Sequence, residues 1–562
     1  MKSTRRNFFK TVGTGAAGLT LGTTALSMAS CTSAAEKDGD NQILFIGDDI
    51  ALANTQYGKV KGYMLRNIYY FLGIPYGADT SGANRFMPPQ KPAPWSDVYP
   101  AVWWGNSAPQ ITENKYANAY AAFADHWNYD DVSEDCLKLN VFTPGIADGR
   151  KRPVLVWFHG GVFTSGNSIE QDGYNGENIS RKEDIVFVSV NHRLGPMGFS
   201  NLARAGGEKF ASSGNVGVLD LVAALEWVRD NIENFGGDPG NVTIMGQSGG
   251  GSKVKTVTNM PKARGLFHKA VVLSGFMRLW AEKEPSEQLG EYILKEAGIR
   301  PGEIEKLQKM PWQEYYELAN RASRKYATET GRSGVSPVGW APVIGTEILP
   351  HEPFFPPSSL TEDIPMIFCS TTEEGNPNRT RPELENITFE EVAEQLKAGG
   401  GFGTSGFGDK SAEIVAAYAK AFPNKKPIEI WALIGAGRQF NVALADRKST
   451  QKAPCYMAWF GWQPPLFNNR MRAFHCLDIC FWFNNTDIML THTGGGKRPR
   501  ELSEKMSASL AQFMRTGDPN GGGLPNWPRY TSENGELMFL DDVCEVKNDP
   551  DREPRKLLPE VI

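Results

Sequence analysis

Asn241-Val242-Thr243-Ile244-Met245-Gly246-Gln247-Ser248-Gly249-Gly250 is the stretch on which the fold of this chain turns. Its first five residues are a short, β-branched apolar run, which predicts a strand. The next five fit G-x-S-x-G, and the chain contains no second match. Glycine and serine are common, so the pentapeptide alone says little; the strand before it gives it weight. A serine at a strand end with a helix to follow predicts a sharp turn, and the flanking glycines leave room for it. Such a turn lifts the hydroxyl clear of the backbone, near a helix amino end whose dipole favours developing negative charge.

Working outward, the same kind of run recurs. Upstream, Pro153-Val154-Leu155-Val156-Trp157-Phe158 stops at His159-Gly160-Gly161, and Asp184-Ile185-Val186-Phe187-Val188-Ser189-Val190 stops at Asn191-His192-Arg193. Downstream come Lys269-Ala270-Val271-Val272-Leu273-Ser274 and Pro365-Met366-Ile367-Phe368-Cys369. None alternates apolar with polar, as expected of parallel strands covered on both faces. Between them Leu221, Leu225, Val228 and Ile232 recur at helical spacing. Strand, helix, strand in this order predicts a doubly wound α/β fold: a large, mostly parallel central sheet flanked by helices. Residues 56–62 and 67–76 read as short strands around glycine turns. Residues 281–350 and 388–449 are charged and helical in character, and are expected as insertions over the carboxyl edge of the sheet, where ligand sites form. Residues 399–408 are glycine-rich and expected as a mobile loop.

The bulk composition excludes some function classes. The 562 residues are 40% hydrophobic and 22% charged, enough apolar material for a large core. A net charge of -5 points to no nucleic-acid partner, and no internal run of about 18 apolar residues is present to span a bilayer. Residues 1–31 form a class of their own. Arg5-Arg6 precedes a weakly apolar run to Met28, then Met28-Ala29-Ser30-Cys31. A charged start, an apolar middle and small residues at the end predict an export leader of twin-arginine type, with Cys31 as candidate lipid attachment site. The expected location is outside a bacterial cytoplasm, periplasmic or lipid-anchored. Residues 32–48 read as a tether, 49–548 as one large domain with insertions, and 549–562 as a tail. The other six cysteines are not spaced as disulfide framework or metal arms and are expected as buried free thiols.

A serine hydroxyl needs a base beside it to act as nucleophile at neutral pH. Seven histidines are available: His126, His159, His192, His268, His351, His475 and His492. The chain order nucleophile, acid, histidine favours a late one, which leaves His475 and His492. The acid is expected after a strand between serine and histidine; Glu373-Glu374-Gly375 fits, and spacing alone leaves the two glutamates equivalent. His159-Gly160-Gly161-Val162 is a loop whose backbone N–H groups suit an oxyanion, with Gly249 N–H as a further donor. Trp103, Trp104, Trp127, Trp340 and Trp482 are candidates for an aromatic gorge, with core packing the expected role for most.

These residues resemble the type-B carboxylesterases, the family of cholinesterases and para-nitrobenzyl esterases, from about Tyr57 to Leu540. Matching segments include Phe71-Leu72-Gly73-Ile74-Pro75-Tyr76, Arg85-Phe86 with Pro94-Trp95, Ser133-Glu134-Asp135-Cys136-Leu137, Asn191-His192-Arg193-Leu194-Gly195-Pro196, Phe235-Gly236-Gly237-Asp238-Pro239 and Thr516-Gly517-Asp518-Pro519-Asn520. The resemblance implies Ser248 as nucleophile, Glu374 as acid, because the family glutamate directly precedes a glycine, and His475 as base, from His475-Cys476-Leu477-Asp478-Ile479-Cys480-Phe481. It implies Gly161, Val162 and Gly249 as oxyanion donors. Four positions depart from the family pattern: Val162 stands where Gly or Ala is frequent, Gly249 where Ala is frequent, and Ile344-Gly345 where Asp-Gly is frequent. Cys136 lacks the family's partner near Ala108. The implied activity is hydrolysis of a small-molecule carboxylic ester through an acyl-enzyme, with no cofactor and no metal. An amidase or carbamate hydrolase with the same machinery is the alternative, and a non-catalytic binding module a remoter one.

Overall fold

The computed structural model describes residues 42–111, 131–275, 278–379, 381–401 and 404–561. The leader, Cys31, most of the tether, His126 and Trp127 lie outside them.

Twelve strands form the main sheet: β1 Leu44–Phe45, β2 Tyr63–Leu65, β3 Ile68–Pro75, β4 Lys138–Thr143, β5 Arg152–Phe158, β6 Val186–Val190, β7 Gly237–Gln247, β8 Lys269–Leu273, β9 Met366–Thr371, β10 Cys455–Phe460, β11 Glu536–Leu540 and β12 Glu545–Asn548. Their spatial order is β1-β2-β3-β4-β6-β5-β7-β8-β9-β10-β11-β12. The run from β6 to β11 is parallel throughout, with antiparallel strands at both ends. The α/β fold expected from the apolar runs is the fold observed.

The register explains why those runs do not alternate. Val154, Val156 and Phe158 of β5 enter one apolar cluster, together with Leu221, Leu225 and Val228 of α1 (Val216–Asn231). Leu155 and Trp157 enter the cluster on the opposite face, with Met506, Leu510 and Phe513 of a helix at Lys497–Thr516. Both pleat faces are therefore covered, and each buried side chain contributes about 1.5–3 kcal/mol. Three of the family-like segments serve this frame: Arg85 pairs with Glu134 at 2.5 Å, and Arg193 with Asp220 at 2.6 Å, all four buried.

The short strand expected within residues 56–62 is observed at Gly58–Lys61, which pairs with Leu52–Thr55 and Tyr99–Pro100 in a small sheet of its own. Three other expectations need correction. Residues 281–350 are helical only at Lys283–Glu296, Glu305–Lys309 and Trp312–Thr330, because Gly331 closes the last helix at φ +66° and the glycine- and proline-rich chain beyond it turns repeatedly. The glycine-rich stretch is in part a hairpin, Gly399–Gly401 against Thr404–Ser405. The six cysteines beyond the leader are free thiols, four of them buried, whereas Cys476 and Cys544 are partly exposed. Trp340 and Trp482 are core residues, and Trp103 is 69% exposed. Among the described residues no helix is long and apolar enough to cross a membrane, and no cluster of His, Cys, Asp and Glu is arranged to hold a metal ion.

Candidate active site

Four parallel strands deliver the singled-out residues to one edge of the sheet. Their carboxyl ends lead to the His159 loop from β5, to Ser248 from β7, to Glu374 from β9 and to His475 after β10. β7 ends at Gln247 and α2 (Gly249–Thr258) begins one residue later, so Ser248 makes the turn alone, at φ +57° and ψ −123°. Such a conformation costs about 1–3 kcal/mol for a residue with a side chain and persists only when its surroundings impose it. Here the Ser248 N–H donates to Leu273 O at 2.8 Å. The glycines are needed for contact as much as for torsion. A Cβ on Gly250 would stand 2.0 Å from Phe158 O, and one on Gly246 2.4 Å from Gly250 O, so α2 packs hard against the strand ends.

The two glutamates separate cleanly. Glu374 is buried and its carboxylate faces His475 Nδ1 with one oxygen. Its other oxygen accepts from Ser274 Oγ at 2.5 Å and from Thr371 N–H at 2.9 Å. Glu373 turns away, accepting from Thr372 Oγ1 at 2.6 Å and Ala473 N–H at 3.1 Å and pairing with Lys425 at 3.1 Å. The His475 ring lies against Gln247, the neighbour of Ser248, whose Nε2 is 3.3 Å from Nδ1 and 3.4 Å from Nε2. Burial disfavours the imidazolium, but the Cys476 sulfur and the Glu374 carboxylate outweigh it and hold the His475 pKa well above the ordinary value. His492, the other late histidine, is buried edge-on to Phe474. Ser274, Thr371 and Gln247 were given no role by the sequence. A polar residue closing an apolar strand was their only signal. Asp478, one turn past His475, is pushed up to about 7 by burial and then by the Glu374 charge.

The His159 loop borders Ser248 from the other side. A Cβ on Gly160 would be 3.6 Å from Ser248 Cβ. Gly161 and Val162 both have positive φ, +79° and +50°, and the Gly161 carbonyl closes a turn by accepting from Ser165 N–H at 3.0 Å. Among the described residues no backbone acceptor takes the N–H groups of Gly160, Gly161, Val162 or Gly249. Two of these residues, Gly160 and Gly249, are buried and the other two half-buried; amides withdrawn from water rarely go unpaired, and a group of them around one serine can receive a negatively charged oxygen. Val162 sits closest to the turn, since a Cβ on Gly249 would stand 2.2 Å from Val162 N and 2.5 Å from its O. Gly249→Ala is therefore expected to displace the loop and lower kcat about 10–10³-fold, in line with misplacing one or more such donors. A variant whose kcat stays within twofold at an unchanged thermal midpoint would contradict this.

A pattern describing the carboxylesterase family matches residues 49–556. The chain belongs to the carboxylesterase family. Among its relatives, the para-nitrobenzyl esterase of Bacillus subtilis (strain 168) is 32% identical over 90% of this chain and 98% of its own length. A phenmedipham hydrolase of Pseudarthrobacter oxydans is 30% identical over 89% and 97%. Two solved esterases have the same fold. One, from the anaerobe Clostridium hathewayi, hydrolyses aliphatic aromatic polyesters; it superposes with a TM-score of 0.78 at 34% identity, over 92% of this chain and 99% of that one. A carboxylesterase of Geobacillus stearothermophilus superposes at 0.72 with 30% identity, over 91% and 100%. In this carboxylesterase Val162 and Gly249 face each other. With no Cβ at Gly249, the Val162 backbone occupies the space an alanine there would fill.

Proposed function

We propose that this chain hydrolyses small carboxylic esters by acyl transfer through Ser248. The observation that carries the reading is the pairing of His475 with Glu374 beside a strained serine turn lined by unpaired amides. The Ser248 hydroxyl attacks the ester carbonyl carbon while His475 Nε2 takes its proton. Glu374 holds Nδ1–H, fixing the tautomer and stabilising the imidazolium. The carbonyl oxygen, now negative, is received by the N–H groups of Gly161, Val162 and Gly249. Collapse of the tetrahedral intermediate breaks the bond to the alcohol oxygen, which leaves with the proton from His475. Water then attacks the acyl-serine, His475 again accepts a proton, and the carboxylic acid departs with Ser248 restored. No step needs a cofactor.

The phenmedipham hydrolase among the relatives keeps the carbamate reading in play. Matched aryl ester, anilide and aryl carbamate substrates separate the two. The ester is expected to have the highest kcat/KM, and a carbamate turned over faster than its matched ester would overturn the preference. We infer from residues 1–31 that the chain is exported and that Cys31 carries a lipid. Replacing Arg5 and Arg6 with Lys is expected to leave the protein in the cytoplasmic fraction; unchanged fractionation would contradict the twin-arginine reading.

A further inference from the structure

Five residues beyond Ser248, on α2, a lysine is buried under the His159 loop. Lys253 has no exposed surface, and its Nζ donates to His159 O at 2.8 Å and to Gly160 O at 3.2 Å, with His159 Nδ1 at 3.5 Å. Burial pushes the Lys253 amine down to about 7, and the Glu170 carboxylate works the other way. Charged or neutral, it keeps N–H donors for both carbonyls. The Phe163 ring lies 5.9 Å away. A helix surface seldom buries an amine at such desolvation cost for packing alone, where a methionine would serve.

The two carbonyls it holds belong to the loop assigned to the oxyanion. In a trans peptide the C=O and the N–H point to opposite sides. Tying His159 O and Gly160 O to Lys253 therefore turns the N–H groups of Gly160 and Gly161 away from it. The next carbonyl, Gly161 O, is held by the Ser165 N–H, which orients the Val162 N–H in the same manner. We propose that Lys253 is a positioning residue for oxyanion stabilisation: its amine anchors the loop at His159 O and, together with His159 Nδ1 at 2.9 Å from Gly160 O, holds that second carbonyl, fixing the Gly160–Gly161 peptide plane so that the Gly161 N–H stands ready before the substrate arrives. Hydrogen bonds in series polarise one another, so the amine also strengthens this donor. The inference rests on the acyl-transfer reading above.

The test compares Lys253→Met with Lys253→Gln in the full chain, on one aryl ester, with an arylboronic acid as tetrahedral mimic. Lys253→Met is expected to lower kcat about 10–100-fold and boronate affinity by a similar factor, with KM within threefold. Lys253→Gln retains an N–H for a carbonyl and is expected to recover most of the loss, and it remains informative if the methionine variant does not fold. Wild-type kcat and boronate affinity in Lys253→Met, or a glutamine variant as impaired as the methionine one, would overturn the proposal. Ser248→Ala in the same assay separates the two levels. If it still turns over ester, the acyl-transfer reading fails; if it is inert while Lys253→Met is normal, only the role of Lys253 fails.

Discussion

Ser248→Ala is expected to lower kcat/KM on a simple aryl ester by about 10⁴–10⁶, equivalent to about 5–8 kcal/mol of transition-state stabilisation. The size follows from the removal of the attacking atom, which no neighbour replaces. The structural consequence is expected to be slight. The hydroxyl sits on a half-buried side chain, and the turn is held by the Ser248 N–H to Leu273 O bond, which alanine keeps. Alanine also meets the same torsional demand at φ +57°. The thermal midpoint should therefore stay within a few degrees, and KM or product binding should persist. Turnover within tenfold of wild type would mean that another nucleophile carries the reaction.

Glu374→Gln is expected to lower kcat about 10³–10⁴-fold, and hydrogen-bond counting shows why. One carboxylate oxygen must accept from the Thr371 N–H and Ser274 Oγ, while the other accepts from His475 Nδ1. Glutamine offers one acceptor oxygen. The Thr371 amide can only donate, so the glutamine oxygen turns to it and the NH₂ faces Nδ1. That leaves the proton on Nε2, the nitrogen meant to accept from serine. The pH profile should move as well. The wild-type imidazole is neutral only above a pKa that, against burial, Cys476 and Glu374 hold high, so activity falls as pH drops through that raised value. Without the Glu374 charge the acid limb should shift to lower pH. Glu373→Gln is the control. It weakens a contact with Lys425 and should cost about 1–3 kcal/mol of stability without moving the limb. A moved limb in Glu373→Gln and an unmoved one in Glu374→Gln would reverse the assignment.

Much of this was legible in the residues, for physical reasons. Strands β5 to β9 are buried on both faces, so their apolar runs stand out without alternation, and the serine turn announces itself by glycines that contact requires. The choice between Glu373 and Glu374 was not legible from spacing. Both follow the same strand; the family resemblance favoured Glu374 because it precedes a glycine, and the three-dimensional partners, Lys425 for Glu373 and His475 for Glu374, separate them physically. β10 was missed although Cys455-Tyr456-Met457-Ala458-Trp459-Phe460 is apolar throughout; it follows directly on a helical insertion that masks the sheet rhythm. Nothing in the sequence marks Lys253. Its burial arises from the close approach of α2 to the end of β5, which the glycines before it permit, and no window of sequence displays that distance.

The central claim is that Ser248 carries the acyl group, and the most direct measurement is to trap it. An aryl phosphonate, incubated with the full chain until ester hydrolysis stops, is expected to add one equivalent at Ser248, located by mass spectrometry of the peptide spanning the Gly246–Gly250 turn. Stoichiometric inactivation with the adduct on any other residue would contradict the account.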